Sequence, residues 1–112
     1  MYAVAFDIDT AELAKTNVGN YAWQAIGNFL KKRGFSWTQG SVYFGDETVD
    51  PVKVVLAVQD LAQTYDWFNS AVIRDIRMLR IEENNDLNPV LKYVADNKPQ
   101  PALDFLAAGG AS

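Results

Sequence analysis

Large and small side chains alternate over the first eight residues of the chain. The large residues, which share one side of an extended segment, are Tyr2, Val4, Phe6 and Ile8. The small or acidic residues of the opposite side are Ala3, Ala5 and Asp7. A period of two predicts a β-strand over residues 2–8. We expect its large side chains to pack against helices, while its flat side suits the close approach of a second subunit.

A first helix is predicted after the Gly-Asn pair at 19–20. Apolar residues then recur at spacings of three and four, which gives an apolar stripe. The stripe consists of Tyr21, Ala22, Ala25, Ile26, Phe29 and Leu30. The helix is expected to end in "KKRG", because cations in the last turn complement the helix dipole and Gly34 suits the C′ position.

A second helix is predicted over about residues 51–65. Asp50 is a natural N-cap, and Pro51 is a natural first residue because its missing N–H needs no partner there. The predicted apolar stripe consists of Val55, Val58, Ala62 and Tyr65, with Val54 and Leu61 alongside.

Three further strands are predicted between and after these helices. The block "FSWTQGSVYF" favours a hairpin of strands 35–38 and 41–44, joined at Gln39–Gly40. Residues 72–81, "VIRDIRMLRI", alternate without a purely apolar face. This pattern predicts a strand that contains a β-bulge or has two different environments.

The order strand, helix, strand, strand, helix, strand predicts an α+β protein. It is the order of the ferredoxin-like βαββαβ sandwich, whose antiparallel sheet carries helices on one face and leaves the other free for a partner. We assign this domain to residues 1–82 and a C-terminal extension to residues 83–112. Within the extension, a short helix is expected near 88–95 and an arm over the last ten residues.

Composition limits the chemistry more than any motif does. The 112-residue chain is 49% hydrophobic and contains neither Cys nor His. Disulfides, thiolate nucleophiles and imidazole proton transfer are therefore excluded. Carboxylates, hydroxyls, Lys, Arg, backbone groups and an oxygen-bound ion such as Mg²⁺ remain. We expect a soluble cytoplasmic protein, since no signal peptide and no run of about 20 apolar residues is visible.

The charge of the chain is unevenly distributed. The net charge is −4, which argues against a general nucleic-acid coat protein. Residues 1–81 are almost balanced, with eight Lys or Arg against nine Asp or Glu, whereas residues 82–112 hold two against five. The two candidate phosphate-binding clusters are Lys31, Lys32, Arg33 and Arg74, Arg77, Arg80. For the first, a basic helix C-terminus is the simpler explanation.

Several blocks resemble one known family. "YAVAFD", "GFSWTQGSVY", "WF" at 67–68 and "IRDIR" at 73–77 are, in this order and spacing, similar to virulence-associated protein D (VapD). The similarity covers roughly residues 1–82. It implies a ferredoxin-like fold related to a small CRISPR adaptation protein, a homodimer, and an endoribonuclease that acts in some members as the toxin of a toxin–antitoxin pair. A cognate antitoxin protein is then a further expected partner.

Asp7 is the first candidate catalytic residue. In a dimer formed through the free sheet face, Asp7 can meet its symmetry mate. Two such carboxylates share a proton or bind a cation, so Asp7 is also the candidate Mg²⁺ ligand. The alternative is a solvated carboxylate at a strand end. Asp9 lies past the strand and is expected to stabilise a turn.

The resemblance adds Ser41 and Asp75 as catalytic candidates. The Ser41 hydroxyl would bond a phosphate or position the attacking group, and otherwise it is a small residue beside a turn. Asp75 lies between Arg74 and Arg77, which would hold it ionised or bind a phosphate beside it; the alternative is a structural ion pair. Candidate RNA-binding residues are Gln39, which could read a base edge, and Arg74, Arg77 and Arg80.

The three tryptophans and Leu13 are weaker candidates. Trp23, Trp37 and Trp67 could stack on bases, but core or dimer packing is the usual role of such residues. Leu13 follows the first strand, where the family has residues near the active region, although the match there is weak.

Two mechanisms and two non-catalytic functions remain open from sequence. A carboxylate could deprotonate the ribose 2′-OH and leave a cyclic phosphate, a route that DNA cannot follow. Alternatively, a metal-activated water could attack and leave a 5′-phosphate. The main rival function is a non-catalytic dimeric module that binds nucleic acid or protein, which the acidic composition favours. The other is an interaction partner whose C-terminal tail captures another protein.

Overall fold

In the computed structural model, which describes residues 1–97, four strands form an antiparallel sheet. The strands are β1 (Tyr2–Ile8), β2 (Phe35–Gln39), β3 (Val42–Gly45) and β4 (Ile73–Arg80). Their order across the sheet is β2-β3-β1-β4. The helices between them are α1 (Thr10–Ala14), α2 (Tyr21–Lys31) and α3 (Pro51–Thr64). The predicted ferredoxin-like α+β fold is confirmed, with α1 as an addition to the predicted elements.

The alternation of β1 separates a helix-covered face from a free face. Val4, Phe6 and Ile8 are buried in the core together with residues of α2 and α3. Phe6 stacks on Tyr43 of β3, with ring centroids 6.0 Å apart. No residue of the core cluster comes from the opposite side of β1, among the residues that the structure describes. This free face is the one that bears Asp7.

The short helix α1 was not predicted. Asp9 is its N-cap, and its Oδ1 accepts a hydrogen bond of 3.1 Å from the backbone N–H of Glu12. The spacing Asp-x-x-Glu is a variant of the capping box and was the available signal. Leu13 points inward and is 3% exposed, so its role is core packing.

The predicted hairpin is displaced by one residue. The turn falls at Gly40–Ser41 instead of Gln39–Gly40, and Gly40 has a φ of +51°. The cause is a bulge in β2: Trp37 lies opposite Tyr43, but Gln39 lies opposite Val42. One extra residue therefore lengthens β2.

Helix α3 begins as predicted, but only part of its predicted apolar stripe is buried. The side chain of Asp50 accepts from the N–H of Lys53 at 2.8 Å, and Pro51 occupies the first turn. The buried residues are Val54, Ala57 and Leu61, and Val58 and Tyr65 pack against the core. Val55 is 56% exposed, because α3 is apolar around much of its circumference and periodicity does not select one face.

Strand β4 contains the predicted bulge. It pairs with β1 so that Asp75 lies opposite Asp7 and Ile73 lies opposite Ile8. Arg74 is therefore the extra residue on β4. Because a bulge rotates the strand locally, the direction of the Arg74 side chain departs from simple alternation.

The chain divides into two units between Glu82 and Glu83. In the second unit, the described residues form α4 (Asn88–Asn97), close to the predicted helix near 88–95. The predicted C-terminal arm lies outside the described residues. Within residues 1–97, no helix has the length and hydropathy that a membrane crossing requires.

Candidate active site

Two carboxylates face each other on the free face of the sheet. Asp7 of β1 and Asp75 of β4 are cross-strand partners, and both side chains are more than half exposed. Paired residues on neighbouring strands point to the same face, with Cβ atoms about 5 Å apart. The register therefore brings together two of the three predicted catalytic residues from opposite ends of the domain sequence.

The bulge directs Arg74 onto Asp7. The Nε and Nη2 atoms of Arg74 lie 3.1 Å and 3.0 Å from Oδ2 of Asp7. We had expected Arg74 to flank its sequence neighbour Asp75, and that expectation was wrong. No sequence signal marks this contact, because the two residues are 67 positions apart and only the strand register joins them.

Arg77 is the partner of Asp75. Its Nε donates to Oδ2 of Asp75 at 2.8 Å. This hydrogen bond and the negative charge of Asp75 raise the pKa of the Arg77 guanidinium above its ordinary value. Arg80 lies further along β4 and pairs in the same way with Glu82, at 2.8 Å. Each arginine of β4 is thus paired with a carboxylate.

These ion pairs contribute little to stability. Exposed pairs of this kind are worth about 0–1 kcal/mol each, because water screens them and ordering the side chains costs entropy. Placing Asp7 directly opposite Asp75 is itself unfavourable, since like charges repel across a strand pair. The row of two acids and two arginines therefore adds little to the stability of the fold. An anion can bind the guanidinium groups in place of Asp7 and Asp75, and the two carboxylates would then lose their arginine partners.

The hairpin residues lie on the other side of β1. Ser41 is half-buried in the turn, and its carbonyl accepts from the N–H of Phe6 at 3.1 Å. This pairing places Ser41 beside Phe6, one residue before Asp7. Among residues 1–97, no hydrogen bond joins the Ser41 hydroxyl to Asp7 or Asp75. Gln39 is exposed opposite Val42, which in turn lies opposite Ala5 on the free face.

The donor set of this site is compatible with Mg²⁺. In the described part of the chain no cluster of three or more acidic side chains forms a ready metal cage. Mg²⁺ needs fewer, however, since it commonly uses one or two carboxylates and completes its shell with water and phosphate. Asp7 and Asp75 supply two carboxylates. Their arginine contacts use Oδ2, and within residues 1–97 neither Oδ1 accepts a hydrogen bond.

The remaining candidates separate into structural and exposed residues. Trp23 and Trp67 pack against the core, as expected. Trp37 is not in the core, because it is 63% exposed. Arg33 stacks on Phe29, with Cζ 3.6 Å from the ring centroid, and lies 3.8 Å from Asp60. These contacts agree with the simpler explanation of the basic helix end.

The four-stranded antiparallel sheet, with helices on one face, places the chain in the ferredoxin-like class of α+β proteins. Comparisons with known proteins identify the family within that class. Residues 1–88 match the family model described as CRISPR associated protein Cas2. The chain is 47% identical to Endoribonuclease VapD 2 of Riemerella anatipestifer over 94 residues, which are 81% of this chain and 99% of that protein. It is 48% identical to an Endoribonuclease VapD homolog of Helicobacter pylori over 95 residues, 84% of this chain and 99% of that one. Endoribonuclease VapD of Dichelobacter nodosus is 43% identical over 94 residues, 82% and 98% of the two chains. The chain therefore belongs to the VapD family.

Proposed function

We propose that this protein is a homodimeric endoribonuclease that cleaves phosphodiester bonds in RNA, and that it is the toxin of a toxin–antitoxin pair. The names of its relatives support the activity. The observation that carries the proposal is the register pair of Asp7 and Asp75, each bound by an arginine of β4 on an open sheet face. Such a row offers both phosphate ligands and proton acceptors at one place.

On substrate binding, a phosphate of the RNA replaces the carboxylates as the partner of the arginines. A phosphodiester carries one negative charge and two free oxygens, so it competes with the carboxylates for Arg74 and Arg77. Since the guanidinium groups are already oriented by their carboxylates, little side-chain entropy is lost in this exchange. Arg80, which was a further candidate, lies opposite Tyr2 on the helix-covered side of the sheet and is not part of this row. Asp7 and Asp75 then lie beside the bound phosphate as free bases.

The first chemical route uses the ribose itself. A carboxylate of the site, Asp7 or Asp75, takes the proton of the 2′-OH, and the 2′-oxygen attacks phosphorus. The bond from phosphorus to the 5′-oxygen breaks, and the 5′-oxygen leaves with a proton returned from a carboxylic acid or water. The products are a 2′,3′-cyclic phosphate and a 5′-OH. Arg74 and Arg77 stabilise the extra negative charge on the phosphate oxygens during attack.

The second route uses Mg²⁺ held by Asp7, with Asp75 as a second ligand. A bound Mg²⁺ would polarise the phosphate and activate water, which leaves a 5′-phosphate. Product termini separate the two routes. A labelled RNA is cleaved with and without EDTA, and its fragments are tested for a cyclic phosphate. A cyclic end that survives EDTA supports the ribose route, and a 5′-phosphate that EDTA abolishes supports the metal route.

Isosteric variants test the site. We expect Asp7→Asn and Asp75→Asn to lower cleavage of labelled RNA at least 100-fold, because each removes a proton acceptor and a possible ligand. Ser41→Ala is expected to have a smaller effect, about tenfold, since loss of one hydrogen bond to phosphate costs on the order of 1–2 kcal/mol. Glu47→Gln, an exposed acid at the far end of the sheet, is the matched control. Unchanged cleavage in all three site variants would contradict the assignment.

A non-catalytic binding module is the alternative function, and the acidic pI of about 4.6 favours it. In that case purified protein would retain RNA or a protein ligand without cutting, and the Asp7→Asn variant would bind as well as the wild type.

The toxin role has its own test. Induced expression should arrest growth with the wild type and not with Asp7→Asn, and co-expression of the antitoxin from a neighbouring gene should restore growth.

A further inference from the structure

Strand β4 is an open edge of the sheet. It is the last strand in the order β2-β3-β1-β4, so among residues 1–97 no further strand pairs with its outer side. The N–H of Ile81 donates to the carbonyl of Met1 at 2.8 Å, and hydrogen bonds between antiparallel strands recur at every second residue. The odd-numbered residues of β4 from 75 to 79 therefore bond to β1. The residues whose N–H and C=O groups point outward are Ile76, Met78 and Arg80.

An apolar groove lies beside this edge, on the helix-covered face. Met78 is the cross-strand partner of Val4, so both side chains point towards the helices. Val4 is 1% exposed, whereas Met78 is 45% exposed, which shows that α3 covers β1 and leaves β4 partly open. The resulting cavity has a volume of about 190 Å³. Its lining includes Val55 and Val58 of α3 and Ile76, Arg77 and Met78 of β4.

The charge beside the groove comes from β4. The charged residues of α3 are Lys53 and Asp60, which contact Thr48 at 2.7 Å and Arg33 at 3.8 Å and so face the β3–α3 loop and α2. Strand β4 contains three arginines and one aspartate, in a chain whose net charge is −4. Each of these arginines holds a carboxylate at 2.8–3.0 Å in an exposed pair, and such pairs exchange at little cost. The edge therefore suits an acidic ligand.

An open edge strand with a groove beside it can bind an extended peptide as an added strand. Main-chain hydrogen bonds hold such a peptide along the edge, and every second side chain enters the groove. Apart from Arg77, the groove lining is aliphatic in the part of the chain that the structure describes, which suits apolar peptide side chains. Nucleobases, in contrast, stack on aromatic rings. The remaining side chains of the peptide would point to the free face, beside Arg77.

We infer that the edge of β4 and the adjoining groove bind an extended acidic segment of another protein as a fifth strand. Apolar residues of that segment alternate with Asp or Glu. The apolar set fills the groove against Val55 and Met78, and the acidic set pairs with Arg77. Because Arg77 is also a proposed phosphate ligand, the bound segment would inhibit RNA cleavage, and this regulatory role rests on the proposed function.

Binding is measured with a capped, labelled heptapeptide in which Glu alternates with Val, mixed with the full-length wild-type chain. We expect saturable binding by fluorescence anisotropy and slower amide hydrogen exchange at Ile76, Met78 and Arg80, whose N–H groups gain partners. A peptide with Lys in place of Glu should bind about tenfold more weakly, because the ion pairs are lost. A peptide that is N-methylated at its Val residues should be weakened as much, since those amides can no longer pair with β4.

Val55→Glu tests the groove itself. We expect it to weaken binding of the acidic peptide about tenfold, because it places a carboxylate where an apolar side chain would enter. Val52→Glu is the matched control, since Val52 is also an exposed valine of α3, 65% exposed, and is not part of the groove lining. This control should bind the peptide as the wild type does, and saturating peptide should slow RNA cleavage by both.

Unchanged affinity in Val55→Glu, or for the N-methylated peptide, would overturn the inference. Amides of Ile76 and Met78 that are already protected in the free protein would overturn it in favour of a second copy on this edge. Loss of oligo(U) binding in Val55→Glu would overturn it in favour of RNA in the groove. Cleavage at the full rate with the peptide bound would reject the inhibitory role. Peptide binding by a chain that cleaves no RNA would support the docking site and reject the proposed function alone.

Discussion

At the scale of single residues, the site depends on a contact that the sequence does not encode locally. Asp7 and Asp75 were candidates from the sequence together with its family resemblance, and their mutual position follows from the strand register. Arg74 was placed beside its sequence neighbour Asp75, because the imperfect alternation of β4 indicates a bulge but not the residue at which it falls. The bulge breaks that alternation at one residue and turns the guanidinium to Asp7. Long-range register, not local pattern, decides such a contact.

Arg74 should affect activity far more than stability. The pair with Asp7 is exposed, so we expect Arg74→Ala to change the free energy of unfolding by less than about 1 kcal/mol. Cleavage should fall about tenfold or more, because one charge-assisted contact to the phosphate is lost. Lys15→Ala, which breaks the equally exposed pair with Glu12, should leave cleavage unchanged. Urea unfolding and RNA cleavage rates measure the two effects, and a loss of stability equal to the loss of activity would contradict this role.

Gly45, unlike Arg74, should affect stability, because the packing around it leaves no room for a larger side chain. A Cβ at this position would lie 2.7 Å from the Cβ of Val49, which is 5% exposed. We expect Gly45→Ala to destabilise the fold by about 1–3 kcal/mol, since the buried valine must move. The cost should be smaller in a Val49→Gly background, where the Cβ and both methyl groups that cause the clash are absent. Equal costs in both backgrounds, measured by denaturant unfolding, would show that the clash is not the cause.

At the scale of elements, the sequence predicted the helices and strands that have strong local signals at their ends or along their length. Asp50 and Pro51 fixed the start of α3, and the alternation of residues 2–8 fixed β1. The buried face of α3 was predicted only in part, because apolar residues surround the helix and only packing selects Val54 over Val55. The hairpin was displaced because a bulge adds a residue without a change in composition. Burial and bulges both depend on neighbouring elements, which a local pattern does not contain.

The loop from β3 to α3 carries a pH-dependent contribution to stability. Hydrogen bonds from the hydroxyl and backbone N–H of Thr48 lower the pKa of the Asp46 carboxyl below 3.8. The native state therefore favours the ionised form. The resulting stabilisation is complete above pH 3.8, and it is lost as the pH falls through the lower native pKa.

Asp46→Asn should reveal this contribution without a change in shape. We expect the variant to be less stable than the wild type at pH 7, because an amide accepts weaker hydrogen bonds than a carboxylate. The difference should shrink below pH 3.8, where the wild-type carboxyl becomes protonated. Thermal unfolding over pH 2.5–7 tests this, with Glu47→Gln as the neighbouring control. A difference that grows towards low pH would have the wrong sign.

At the scale of the whole molecule, the free sheet face is the surface that the sequence identified and the fold leaves open. At the end of this face away from Asp7, the small side chain of Ala3 lies between Phe44 of β3 and Leu79 of β4. Leu79 remains 38% exposed. This apolar surface continues directly into the row of Asp7 and Asp75. A second copy placed on the apolar part would bring two acidic rows towards each other, which is the geometry of the proposed homodimer.

Two adjacent residues of β4 distinguish this face from the other. Leu79 points to the free face and Met78 to the helix-covered face, and both are partly exposed apolar residues. We expect Leu79→Glu to produce monomers in analytical ultracentrifugation, because two buried glutamates would meet across the two-fold axis. RNA cleavage should fall with the dimer fraction and recover as protein concentration rises. Met78→Glu should remain dimeric and active. Should Met78→Glu dissociate the dimer instead, the interface lies on the helix side, and Asp7 then acts without its symmetry mate.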